Sequence, residues 1–192
     1  FGRHHNYLRI SLTEQCNLRC TYCMPAEGVA LTPKSHLMTA QEIYTIAQKF
    51  VDAGVTKIRL TGGEPLIRKD AQEILEKLAT LDVELAISTN AVITDRYIEL
   101  FKKIGMQNIN VSLDTLIPER FKTITRRNYF QRVYDNIFQL VSEGFNIKLN
   151  CVLMKEINED EIIDFIQLSE NHAIHVRFIE FMPFDDNNWD RS

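Results

Sequence analysis

Residues 39–61 read TAQEIYTIAQKFVDAGVTKIRLT, a helical pattern that passes through a glycine into a strand. Ile43, Ile46, Ala47, Phe50 and Val51 fall at i, i+3, i+4, i+7 and i+8, the spacing of one helix face. Thr39 and Glu42 stand at capping-box spacing, and Gly54 lies where helix C-termini favour glycine. The unit repeats to both sides. Strands are expected at Tyr7 to Thr13, Lys57 to Thr61, Glu84 to Asn90, Asn108 to Asp114, Asn146 to Leu153 and His175 to Met182. Helices are expected at about 39–53, 70–81, 94–104, 130–143 and 158–171. Capping spacing recurs at Asp70/Glu73 and Asn158/Glu161, and Gly105 and Gly144 close two further helices. No linker rich in Pro, Gly or Ser interrupts the pattern. An alternating β/α chain predicts an α/β fold with a parallel sheet and right-handed crossovers.

The strands alternate, whereas strands of a parallel sheet covered on both faces read as continuous apolar runs. One face carries Leu8, Ile10, Ile58, Leu60, Leu85, Ile87, Ile109, Val111, Leu113, Ile147, Leu149 and Cys151. The other carries Arg9, Ser11, Arg59, Thr61, Ser88, Asn90, Asn110, Ser112, Asp114, Lys148 and Asn150. Helices cover the first face. The second needs a wet or ligand-filled space, because buried polar groups must find partners. A curved sheet or partial barrel with a polar interior provides one; a solvent-exposed second face is the plain alternative.

Composition narrows the function. The chain has 192 residues, 22 Lys and Arg against 26 Asp and Glu, and a net charge of −4. That mild acidity argues against a dedicated nucleic-acid-binding domain, and no apolar run reaches the ~18 residues of a membrane span. Four cysteines are too few for a secreted disulfide scaffold, so a cytosolic setting is expected. The chain begins Phe1-Gly2-Arg3 without Met and is expected to be part of a longer protein.

Three of the four cysteines form a C-x3-C-x2-C run, Cys16, Cys20 and Cys23, directly after the first strand. Thiolates so close in a cytosolic chain point to a metal site. Structural zinc takes four ligands, and no fourth Cys or His follows at finger or ribbon spacing. Three thiolates suit a [4Fe-4S] cluster whose fourth iron stays open to a ligand; structural zinc is the competing reading. Three cations on the polar strand face, Arg9, Arg59 and Lys148, suit a polyphosphate. No G-x4-G-K-S/T loop is present, so strand side chains would do that work. The bland alternative pairs each cation with a carboxylate such as Asp114 or Glu180.

The run C-x3-C-x-Tyr-C after a first strand, with Gly62-Gly63-Glu64-Pro65 after the second, resembles the radical S-adenosylmethionine (SAM) superfamily. The strings FGR, YLRISLTEQCNLRCTYCMP, KIRLTGGEPLIR, INVSLD, IKLNCV and VRFIEFMPF resemble, over nearly the whole chain, the GTP 3′,8-cyclase family of molybdenum cofactor biosynthesis. The resemblance implies a partial (β/α)6 TIM-like barrel over residues 1–192. A C-terminal part with a second [4Fe-4S] cluster would lie outside this chain.

By the same resemblance, Cys16, Cys20 and Cys23 hold the first cluster. Tyr22, Gly62, Gly63, Glu64, Ser112 and Met182 contact SAM, and Arg9, Arg59, Ser88 and Lys148 contact GTP. The implied reaction turns GTP into (8S)-3′,8-cyclo-7,8-dihydroguanosine 5′-triphosphate by way of a 5′-deoxyadenosyl radical. The 192 residues alone are expected not to complete it. Implied partners are a flavodoxin- or ferredoxin-type reductant and, downstream, cyclic pyranopterin monophosphate synthase. A homodimer stays open, and the location is cytoplasmic, or the mitochondrial matrix in a eukaryote. The alternatives are another radical SAM enzyme acting on a peptide or protein, and a non-catalytic iron–sulfur module. Ser88 replaces the family's usual Thr, and Ala91 its usual Gly. Cys151 reads as a small core residue, Asp185 to Asn188 as a solvated loop, and Trp189 as a contact to the part outside the chain.

Overall fold

A computed structural model describes Gly2 and residues 5–182; Asp185 to Asn188 and Trp189 lie outside the described residues. Six strands form one sheet in chain order: β1 (Tyr7–Ser11), β2 (Lys57–Thr61), β3 (Glu84–Thr89), β4 (Asn108–Ser112), β5 (Asn146–Leu153) and β6 (Ile174–Glu180). The pairs β1/β2, β2/β3 and β5/β6 are parallel. The sheet is not closed, with β1 and β6 at its ends, in agreement with the expected partial (β/α)6 barrel. The helices are α1 (Ala40–Asp52), α2 (Ala71–Leu78), α3 (Ile98–Lys103), α4 (Pro118–Thr125), α5 (Phe130–Ser142) and α6 (Ile162–Asn171).

The chain divides into two compact units, one comprising Phe1–Cys16, Leu31–Thr89 and Ile93–Asn110, the other Asn17–Ala30, Asn90–Val92 and Val111–Ser192. In the first unit Ile58, Leu60, Leu85, Ile87 and Ile109 of the apolar strand face are buried, as are Ile43 and Ala47 of α1 and Ile74, Leu75 and Leu78 of α2. The α1 stripe is only half used: Ile46 and Phe50 are exposed. In the second unit Val111, Leu113, Ile147, Leu149 and Cys151 are buried, with Val133, Ile137 and Leu140 of α5.

Local chemistry explains the element ends. Thr39 and Glu42 form the expected reciprocal box at α1. The other two expected boxes do not form. Asp70 turns its carboxylate to Arg68 instead, and the Asn158 side chain bonds Met154 N–H and the carbonyls of Asp114 and Val152. A side chain with a stronger partner nearby leaves the cap unmade. After α1, α3 and α5 the chain turns through Gly54, Gly105 and Gly144, and the next N–H reaches back to Phe50, Phe101 and Leu140, as in a Schellman motif. α4 lies outside the expected helices; its eight residues carry only Pro118 at the first position and the short stripe Phe121, Ile124 and Thr125 as signals. Ala91, in place of the family's glycine, sits fully buried at φ 60°, and Asn136 Nδ2 donates to its carbonyl at 2.6 Å.

Candidate functional site

In the first unit, the Gly-Gly pair after β2 lies against the segment after β1. Gly63 N–H donates to Thr13 O at 2.7 Å and Glu64 N–H to Gln15 O at 2.8 Å. A Cβ on Gly62 would stand 2.4 Å from Thr13 O, and one on Gly63 2.3 Å from Gln15 O. The glycines therefore let two backbones pack directly, at the segment that leads into Cys16. Glu64 is fully buried, and its carboxylate accepts from Leu66 N–H at 3.1 Å and Thr89 Oγ1 at 2.9 Å. It caps the turn Pro65–Ile67.

On the polar strand face of this unit, Arg9 stands in register with Arg59. Arg9 is exposed and Arg59 only 7% exposed. Arg59 Nε donates to the Tyr7 hydroxyl at 2.5 Å, and Nη1 to Ile87 O at 3.3 Å. Among the described residues neither arginine forms an ion pair with a carboxylate. Tyr7, at a strand start, was not among the expected site residues; its place beside Arg59 follows from the register of β1 on β2, which the sequence does not carry. Ser88 is half-buried on β3. Asn110, 5% exposed, keeps a buried Oδ1 with no hydrogen-bond partner.

In the second unit, Lys148 is half-buried on β5, in register with His175. Asn150 likewise holds a buried Oδ1 without a partner. Ser112 is exposed at the end of β4, and Met182 lies two residues beyond β6, 72% exposed.

Cys20 and Cys23 sit on one turn, where Cys20 O accepts from the N–H groups of Cys23 at 3.0 Å and Met24 at 2.9 Å. The Tyr22 hydroxyl donates to Asp114 Oδ2 at 2.8 Å, and Asp114 Oδ1 accepts from Val152 N–H at 2.9 Å. Asp114 thus serves this turn rather than the strand cations. Burial first, then Asp114 and Cys20, raises the Tyr22 hydroxyl well above its usual value, so it remains a donor. Burial also lifts the Asp114 carboxyl, against the pull of its two donors. Burial and then Asp114 lift the Cys23 thiol.

None of the four cysteines is in a disulfide; Cys16 and Cys20 are half-buried, Cys23 exposed and Cys151 buried. The run passes from one unit to the other after Cys16. Among the described residues no three His, Cys, Asp or Glu side chains are arranged as a ready metal site. The donor set itself, three cysteines outside any disulfide within eight residues, has the chemistry of a group held by three thiolates. The orphaned amide oxygens on the polar strand face accept hydrogen bonds that a ligand would bring.

The sequence profile of the Radical SAM superfamily matches residues 10–169. Over 98% of its length the chain is 53% identical to the mitochondrial GTP 3′,8-cyclase of Arabidopsis thaliana, covering 49% of that protein. It is 53% identical to molybdenum cofactor biosynthesis protein 1 of Bos taurus, covering 30% of it. With the GTP 3′,8-cyclase of Listeria monocytogenes it shares 45% identity over 95% of the chain and 56% of that protein. The chain therefore spans about a third to just over half of these relatives. Among solved structures it resembles Streptococcus suis SuiB bound to S-adenosylmethionine (TM-score 0.77, 21% identity, 95% of this chain and 42% of that one). Methylornithine synthase is also similar (TM-score 0.72, 16% identity, 93% and 54%). At such identities these two likenesses concern the fold.

Proposed function

The chain belongs to the radical SAM superfamily, and from that membership we propose that it is the barrel part of a GTP 3′,8-cyclase acting at the first step of molybdenum cofactor biosynthesis. Cys16, Cys20 and Cys23 would hold a [4Fe-4S] cluster. When bound, that cluster and S-adenosylmethionine supply one-electron cleavage of a carbon–sulfur bond and, with it, hydrogen-atom abstraction.

The remaining roles belong to the chain. Tyr22, Ser112 and Met182 would receive the S-adenosylmethionine, together with the 62–64 segment. Because the Glu64 carboxylate is engaged within the fold, that segment would act through its backbone. Arg9, Arg59 and Lys148 would bind the triphosphate, with Ser88 as a further donor. Tyr7 orients Arg59 by accepting from Nε, which leaves Nη2 for a phosphate oxygen. A second cluster, a flavodoxin- or ferredoxin-type reductant and cyclic pyranopterin monophosphate synthase would complete the pathway context outside these residues. Among the described residues no helix is long and apolar enough to cross a membrane.

The single observation that carries the substrate reading is the in-register pair Arg9 and Arg59, with no carboxylate paired to either among the described residues. Each cation supplies a charge-assisted bond worth roughly 1.5–3 kcal/mol. In the full-length protein, Arg9→Ala, Arg59→Ala and Lys148→Ala should each weaken GTP binding about ten- to a hundredfold in anaerobic titration calorimetry. S-adenosylmethionine binding should change much less. GTP affinity unchanged in all three variants would make the cations structural and remove the substrate reading.

A further inference from the structure

Cys20 and Cys23 share a turn that the second unit holds from two sides. On one side, Arg19 N–H donates to Thr125 O at 2.9 Å and Thr21 N–H to Ile124 O at 2.8 Å, so the end of α4 lies along the turn. Arg126, at φ 54° just past α4, sends Nη1 to the carbonyls of Arg19 at 3.1 Å and Met24 at 2.9 Å, the residues flanking Cys20 and Cys23. The two Arg126 contacts are exposed and hold the backbone on either side of the thiols.

A second contact is half-buried, with its Asp114 end buried, and starts from the residue between the two thiols. Tyr22 lies between Cys20 and Cys23, and its hydroxyl donates to Asp114 at 2.8 Å. Asp114 is 7% exposed and cannot swing freely. Its second carboxylate oxygen is held by Val152 N–H at 2.9 Å, and its own carbonyl by Asn158 Nδ2 at 2.7 Å. Asp114 thereby ties the cysteine turn to β5 through its carboxylate and to the segment after β5 through its carbonyl. A bond to a carboxylate in a buried place is stronger and more directional than one to a neutral acceptor. Holding the ring at its far end restricts the backbone that carries both thiols, which lowers the ordering cost of binding a group to them.

We propose that Asp114 is a positioning residue: through the Tyr22 hydroxyl it holds the turn so that the Cys20 and Cys23 thiols are presented to one metal group. The role rests on the reading that these cysteines bind a cluster. Asp114 touches neither substrate nor cofactor in this account, and acts only through Tyr22.

The test uses this chain reconstituted anaerobically with iron and sulfide, as wild type, Tyr22→Phe, Asp114→Asn, Arg126→Ala and the double variants. Iron per chain, the rate of iron release to a ferrous chelator and the EPR spectrum of the dithionite-reduced protein are measured. Tyr22→Phe should release iron about tenfold faster, equivalent to about 1.4 kcal/mol, with an altered EPR line shape. Asp114→Asn should do the same, and the Tyr22→Phe/Asp114→Asn double should be no faster than the faster single, because both remove one bond. Arg126→Ala, an independent contact, should multiply with Tyr22→Phe. Tyr22→Phe deletes only a hydroxyl, so it keeps the test decisive if Asp114→Asn folds poorly. Wild-type release and spectrum in Tyr22→Phe, or effects of Tyr22 and Asp114 that multiply, would overturn the proposal. A wild-type chain that takes up no iron would instead overturn the cluster reading on which it rests.

Discussion

Cys151 has the same thiol as Cys16, Cys20 and Cys23 but a different environment. It is fully buried, with Sγ 3.6 Å from Asp114 O, and burial first, then Asp114 and Glu161, pushes its thiol up to about 12. A thiol that stays protonated at neutral pH and meets no solvent is a packing group, not a ligand. The other three lie on loop segments and are at least half-buried or exposed. Cys16→Ser, Cys20→Ser and Cys23→Ser should therefore each lose iron on anaerobic reconstitution. Cys151→Ala should keep it while losing about 1–2 kcal/mol of stability in urea unfolding. Wild-type iron in Cys20→Ser would rule out thiolate ligation by this run.

Among the elements, α1 and α2 show how similar sequence signals part in the fold. Thr39 caps α1 in a full box, so Thr39→Ala should cost about 1 kcal/mol, read from the urea midpoint. Asp70 makes no side-chain cap on α2; it pairs with Arg68 at 2.7 Å, while Arg68 also donates to the carbonyls of Leu12 at 2.8 Å and Met38 at 2.5 Å. The hydrogen bond from Arg68 holds the Asp70 carboxyl below its usual range. A carboxylate with a depressed folded pKa stabilises above its unfolded value and loses that contribution as pH falls through the folded one. The Asp70 contribution should thus be intact above about pH 4 and fade below it. Urea midpoints between about pH 5 and pH 2 should fall less steeply for Asp70→Asn than for wild type; equal slopes would show that the pair contributes nothing. At the turn after β2, Gly63→Ala places a methyl 2.3 Å from Gln15 O, a contact that only movement of the backbone relieves. That variant should be strongly destabilised, by more than about 2 kcal/mol, and thermal unfolding checks it.

At the scale of the whole molecule, period and punctuation were enough for the order of elements. Among the described residues, all six strands and five of the six helices lie where alternation, the helical period and the closing glycines put them. These signals are local, so a sequence carries them openly. The short α4 escaped because eight residues span only about two helical turns, too few for the period to stand out. Local reading also identified the chemistry-bearing residue types: three clustered thiols, a Gly-Gly turn and cations alternating along strands. Which of them meet which partner was decided by tertiary structure alone. Glu64 turned inward to Thr89, Asp114 went to Tyr22 rather than to a strand cation, and Arg59 took Tyr7 from the neighbouring strand. Those contacts join residues 25, 92 and 52 positions apart in the chain. A hydrogen bond depends on distance and direction in space, and sequence separation says nothing about either.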